Sequence, residues 1–158
     1  MSDPNTQQPS RAELLRSTRE QHDRLAAQLA GLSDEQLTQP GVTDDWSAKD
    51  HLAHLTWWAR RVIDMLGGAP DPVDALGLTD PSEDQINAAV RERSRERSLA
   101  EVRAAFDTSY QDMLRFVAEV PEETLTARYG WISGNSDSHY AEHQAMLEAW
   151  RARQQAQA

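Results

Sequence analysis

The sequence contains no cysteine. That absence excludes a disulfide framework, a thiolate metal site and a cysteine nucleophile, so any metal must be held by histidine and carboxylate. No stretch approaches the ~20 consecutive apolar residues of a membrane helix, and the polar opening Met1-Ser2-Asp3-Pro4-Asn5 lacks the apolar core of a signal peptide. The protein is therefore expected to be soluble and cytoplasmic, with no membrane partner. Positive charge is also short: 16 Lys and Arg against 26 Asp and Glu give a net charge of -10, which opposes nucleic acid as a partner. The one basic run, Arg91 to Arg97, alternates with Glu92 and Glu96 and reads as a solvated helix face laced with ion pairs. Period-two alternation is missing, and so are a Gly-rich phosphate loop, a G-x-S-x-G elbow and a dinucleotide fingerprint.

What is present is helical spacing. Ser10-Arg11-Ala12-Glu13 has the form of a capping box, followed by Leu15, Thr18, His22, Leu25, Leu29 and Leu32 at steps of three and four. Gly31 is read as a left-handed helix end, and His22 as a half-buried histidine satisfied by one hydrogen bond rather than a site residue. Ser33-Asp34-Glu35-Gln36 caps one short turn, and Ser82 with Gln85 and Ser98 with Glu101 open two further helices, separate or continuous. A second long helix starts near Ser47, with Asp50 in its first turn, and buries Leu52, Leu55, Ala59, Val62, Ile63 and Leu66 before Gly67-Gly68 stops it. Residues 67–81 read as a lid over a pocket or a mobile connector. Pro121 ends the helix that carries Phe106, Tyr110 and Met113, and residues 122–134 read as a turn-rich connector.

Four long helices and one or two short ones make an all-α four-helix bundle in a single domain, residues 10–152, flanked by a disordered tail at 1–9 and a frayed one at 153–158. Such bundles build metal and ligand sites from side chains on facing helices.

The chemistry-bearing stretch is His139-Tyr140-Ala141-Glu142-His143. Imidazoles at i and i+4 share one helix face about one turn apart, the spacing that hands two nitrogens to one metal. Met146 or Leu147 and Trp150 continue that face, so it points inward, and a buried histidine pair needs a metal, a carboxylate or water to share it. A third ligand must come from another helix. Both His51 and His54 stand on the inner side of the second helix, and spacing does not choose between them. Three neutral imidazoles leave coordination positions open on a divalent ion, with Zn, Ni, Fe and Mn all compatible. Such an ion polarises a carbonyl or activates water or a thiol; without cysteine, a low-molecular-weight thiol would have to arrive as a cosubstrate. Glu142 is a carboxylate backing the ligands, a base, or a surface ion-pair member. Trp57, Trp58, Tyr129 and Trp131 line a substrate pocket or pack over the bundle.

Trp46-Ser47-x-Lys49-Asp50-x-Leu52-Ala53-His54-Leu55, followed by His139-Tyr140-x-Glu142-His143, resembles the DinB-like (DinB/YfiT) superfamily of four-helix-bundle metalloenzymes. Gln85-Ile86-Asn87, the turn Leu37-Thr38-Gln39-Pro40-Gly41 and Trp150 resemble its ClbS/DfsB branch. The resemblance covers Ser10 to Arg151. It implies an up-down-down-up bundle and a metal-binding triad on His54, His139 and His143, choosing His54 over His51 by analogy. It also implies a hydrolase or a thiol-dependent transferase acting on a small organic molecule, in detoxification or in self-resistance to a reactive natural product. The other class it admits is a small-molecule binding protein that sequesters without turnover. Bundles of this superfamily often pair through helix faces, so a homodimer fits the resemblance.

Overall fold

The computed structural model describes residues 8–158; residues 1–7, most of the expected disordered tail, lie outside the described residues. Among the described residues seven α-helices follow one another: α1 (Arg11–Ala30), α2 (Asp34–Thr38), α3 (Ala48–Leu66), α4 (Glu83–Arg95), α5 (Leu99–Glu119), α6 (Glu122–Ser133) and α7 (Asp137–Ala156). A 3-10 turn at Pro72–Leu76 separates α3 from α4. Among the described residues there is no strand, only an isolated bridge between Thr43 and Trp46.

One device starts five of the helices. Ser10, Ser33, Ser47, Ser82 and Ser98 each accept the N–H of the residue three positions on, whose side chain takes the serine N–H in return. Each such cap contributes about 1 kcal/mol by satisfying donors that the helix leaves orphaned. The Ser47 and Asp50 pair is the one that spacing did not announce, because aspartate is less usual than glutamate as the returning acceptor. Asp50 is buried, and its carboxylate takes both the Ser47 N–H at 2.9 Å and the Ser47 hydroxyl at 3.0 Å.

Three expectations need correction. Gly31 sits at φ -91, not in the left-handed region; the Leu32 N–H returns to the Leu29 carbonyl at 3.1 Å in an ordinary right-handed turn. The glycines at positive φ are Gly41, Gly68 and Gly77; Gly68, at φ 89, directly follows Gly67, the C-cap of α3. Residues 122–134 form the helix α6 rather than a connector. Glu122 and Glu123 favour its N-terminus and Leu125 and Ile132, seven positions apart, are buried on it; Gly130 and the scattered aromatic residues obscured the pattern. The end of α7 stays helical through Ala156, with the Arg153 guanidinium donating to the Val42 carbonyl at 3.0 Å.

The four long helices pack with α1 chiefly on α7 and α3 chiefly on α5. Leu25, Leu29, Leu52, Leu55, Phe106, Tyr140, Leu147 and Trp150 fill one end of the core, and Leu14, Val62, Met113, Val117 and Ile132 the other. Helices α4 and α5 are distinct, broken at residues 96–98. A third cluster, Trp58, Leu76, Ile86 and Val90, fastens α4 and the 3-10 turn against α3. Arg61 of α3 forks onto Asp71 at 3.0 and 2.8 Å, so the segment 67–81 is tied to the bundle at its middle.

Candidate metal centre and its cavity

Helices α3 and α7 bring four of the five histidines together. His51 and His54, one turn apart on α3, face His139 and His143, one turn apart on α7. His51, His139 and His143 are buried and His54 is half-buried. His54 Nε2 and His139 Nε2 are 3.0 Å apart. His51 Nδ1 and His143 Nδ1 are 2.7 Å apart, and His51 Nε2 is 3.0 Å from the Thr43 hydroxyl. The rings of His54, His139 and His143 meet with centroids 4.7 to 4.9 Å apart. One nitrogen from each of those three can be chosen so that all lie within 4.8 Å of one another.

Burial sets the charge of the cluster. Loss of water around the rings lowers His54 to about 3 and both His139 and His51 to about 4, and it drives His143 far down; neighbouring imidazoles add to the effect at His54, His139 and His143, and Arg91 adds to it at His51 against the opposing Asp50. All four rings are thus neutral at pH 7, which is the form that binds a metal and requires no proton release from these residues. The spacing of one pair, His54 and His139, also fits. Two imidazole nitrogens, each ~2.0–2.1 Å from one ion, stand about 3.4 Å apart at the tetrahedral angle and about 2.9 Å apart at a right angle. The 3.0 Å between His54 and His139 falls in that interval. Their Nδ1 atoms are buried without a partner, so no protein group opposes the tautomer in which Nε2 is free.

A cavity of about 920 Å³ opens over the cluster. His51, His54, His139 and His143 form part of its lining, and Trp46, Trp58 and Trp131 supply aromatic wall. Trp46 stands 5.8 Å from the His54 ring, edge-on. Trp58 is held by its indole N–H donating to Asn87 Oδ1 at 2.8 Å, and Trp131 sits one turn before Asn135, whose amide donates back to the Trp131 carbonyl at 2.8 Å. The mouth carries four exposed carboxylates, Asp44, Glu83, Asp84 and Glu142, none of them in an ion pair among the described residues. Its one cationic residue, Arg61, is already forked onto Asp71.

Residues 18–157 match the family model of the mycothiol maleylpyruvate isomerase N-terminal domain. The chain belongs to that family. Among solved structures, the fold is similar to that of DfsB, a Sibling Lethal Factor precursor, with a TM-score of 0.74, 20% identity and coverage of 94% of this chain and 98% of that one. An uncharacterised protein from Escherichia coli UTI89 is similar at a TM-score of 0.73 and 20% identity, covering 92% and 95% of the two chains. The colibactin self-resistance protein ClbS, solved in complex with a dsDNA, is similar at a TM-score of 0.71 and 14% identity, covering 89% and 94%. No curated protein sequence matches the chain. The DinB-like all-α fold implied by the sequence motifs is thus the fold observed, with DfsB and ClbS among its structural neighbours.

Within this DinB-like bundle the sequence candidates fall as follows. His54, His139 and His143 converge. Glu142 lies exposed on the cavity mouth rather than in a surface ion pair. Trp58 and Trp131 line the cavity, whereas Trp57 packs edge-on against Trp58 and Tyr129 packs with the core cluster of Leu14 and Met113, both outside the lining. Trp46, Asn87 and Asn135 line it without having been singled out for that role. Trp46, part of the motif that opens α3, reaches the cavity because the loop before α3 folds back, its N–H donating to the Thr43 carbonyl at 2.9 Å. Asn87 and Asn135 carry no periodic or charge signal. His22 stays outside the cluster, stacked on Tyr110 at a centroid distance of 3.5 Å.

Proposed function

We propose that this protein is a cytoplasmic metal-dependent enzyme acting on a small organic molecule, by hydrolysis or by transfer of a low-molecular-weight thiol. The observation that carries the reading is the convergence of three uncharged imidazoles, His54, His139 and His143, at a cavity large enough for a drug-sized ligand. A divalent transition metal held by these residues supplies a Lewis acid that polarises a carbonyl or brings the pKa of a water or thiol toward neutrality.

The remaining work falls to the chain's own side chains. Trp46, Trp58 and Trp131 exclude water and hold an apolar or flat ligand face. Asn87, its oxygen occupied by the Trp58 indole, keeps its amide N–H groups available to orient a ligand oxygen. Glu142, exposed at the mouth and adjacent in sequence to the metal ligands, accepts a proton from the attacking water or thiol. The resistance role named for ClbS motivates a role in disarming a reactive natural product; the family's name motivates the thiol.

Metal analysis of untagged protein tests the reading. It expects close to one ion per chain, lost in His143→Ala, and metal-free parent protein would sink it. A second reading, a binding protein that sequesters its ligand, is favoured by the aromatic walls alone. Ligand binding that survives His54→Ala and His143→Ala, with the ligand recovered intact, would establish it in place of the enzyme.

A further inference from the structure

The metal reading leaves His51 without a task, although it makes the shortest contact in the cluster and is only 3% exposed. Its Nδ1 lies 2.7 Å from His143 Nδ1 and its Nε2 lies 3.0 Å from Thr43 Oγ1. It is not a further ligand on these distances: 2.7 Å is shorter than the roughly 2.9 Å that separates two nitrogens on one ion even at a right angle. It is the length of an N–H···N hydrogen bond, and two such nitrogens share one proton.

Two polarities satisfy the chain of three residues. In the first, the Thr43 hydroxyl donates to His51 Nε2, His51 Nδ1–H donates to His143 Nδ1, and His143 carries its own proton on Nε2. No lone pair is then left on His143 for an ion. In the second, His143 Nδ1–H donates to His51 Nδ1, His51 Nε2–H donates to Thr43 Oγ1, and the lone pair on His143 Nε2 is free. Only the second is compatible with His143 as a ligand. His54 and His139 receive no such help, since their Nδ1 atoms are buried without partners.

We infer that His51, backed by Thr43, is a positioning residue for the metal centre: it holds the ring and the tautomer of His143 so that Nε2 is presented to a divalent ion. The inference rests on the metal reading above. The far end of the relay is fixed, because Thr43 belongs to a loop closed on Trp46 by three backbone hydrogen bonds: Gly41 N–H and Val42 N–H to the Trp46 carbonyl at 3.1 and 2.9 Å, and Trp46 N–H to the Thr43 carbonyl at 2.9 Å. Partners of this kind behind a metal-ligating histidine are generally worth 10- to 100-fold in affinity.

The test uses untagged protein and Zn²⁺. In zinc-loaded parent protein labelled with 15N-histidine, long-range proton–nitrogen spectra are expected to show protons on His143 Nδ1 and His51 Nε2 and none on His51 Nδ1. By chelator competition, His51→Phe is expected to bind zinc roughly 10- to 100-fold more weakly. His51→Asn, whose side-chain oxygen takes the place of Nδ1, is expected to recover most of that loss. A proton on His51 Nδ1 in the loaded protein overturns the inference, as does zinc binding by His51→Phe equal to that of the parent. Should His51→Phe not fold, the spectra of the parent decide. A parent protein that binds no zinc overturns the metal reading along with the relay, whereas a parent that binds zinc indifferently to His51 overturns the relay alone.

Discussion

Mild acid should destabilise the metal-free protein well before its carboxylates titrate. The perturbation is a fall from roughly pH 7.5 to pH 5.5 in the presence of a chelator. His51, His54 and His139 drop from 6.5 to about 4, 3 and 4 in the folded state, and His143 is driven far down, all chiefly by burial. The unfolded chain therefore binds more protons than the folded one below 6.5. Stability is fully present above that value and is lost as pH falls toward the folded-state values. One pH unit below 6.5, each site subtracts about 1.4 kcal/mol, and four together subtract ~5 kcal/mol, a large part of the ~5–15 kcal/mol that holds a domain together. Glu13, Glu101 and Asp71, held low by their serine caps and by Arg61, contribute stability that begins to be lost only as pH falls into the ordinary carboxylate range and goes on being lost below it. The window thus isolates the histidines. Urea unfolding at the two pH values measures the difference, and His54→Leu should shrink the fall by about a quarter, or ~1.4 kcal/mol. Saturating zinc should suppress most of it, because the bound ion keeps the rings neutral. A fall below about 1 kcal/mol in the chelated protein would show that the imidazoles are not desolvated as described.

Asp50→Ala removes the acceptor for Ser47 and the carboxylate 3.3 Å from Arg91 Nε, an ion pair by distance without the direction of a hydrogen bond; a loss of about 2–3 kcal/mol is expected in denaturant titration. Met113→Ala, in a fully buried position remote from the cavity, should cost about 2–5 kcal/mol in the same assay while leaving zinc affinity unchanged. Because the free carboxylates Asp44, Glu83, Asp84 and Glu142 ring the mouth, a cationic aromatic amine should quench tryptophan fluorescence at lower concentration than its carboxylate counterpart, with the gap narrowing as salt rises. The same charge predicts no gel-shift of dsDNA at physiological ionic strength, in contrast to what the ClbS complex shows for that protein.

The four long helices were legible because their caps and stripes are local signals: Ser10 with Glu13, or Leu52, Leu55, Ala59 and Val62, state their structure within a turn or two. Helix α6 was not, since its first turn follows a proline with no side-chain cap and its apolar residues do not gather on one stripe. The histidine pair on α7 was legible for the same reason as the stripes, as an i, i+4 spacing. Spacing was silent on His51 against His54, which lie one turn apart on the same face. The structure draws both into the cluster and sets them in different surroundings: His139 across from His54, and His143 with Thr43 around His51. The cavity wall was legible least, because Trp46, Asn87 and Asn135 reach it from a folded-back loop, a separate helix and a helix end, and nothing local in the sequence says that they meet.

The pairing of α1 with α7 and of α3 with α5 has a kinetic side. The histidines join the two pairs through contacts that span 85 and 92 positions of the chain, and closing so long a loop costs entropy before its contacts reward it. In the metal-free protein that seam carries desolvated imidazoles, with the Nδ1 atoms of His54 and His139 buried without partners. Amide exchange should reveal it as correlated opening of α3 and α7 around residues 51–54 and 139–143 that zinc slows, so that the metal would act as the latch of the fold as well as the reagent of the site.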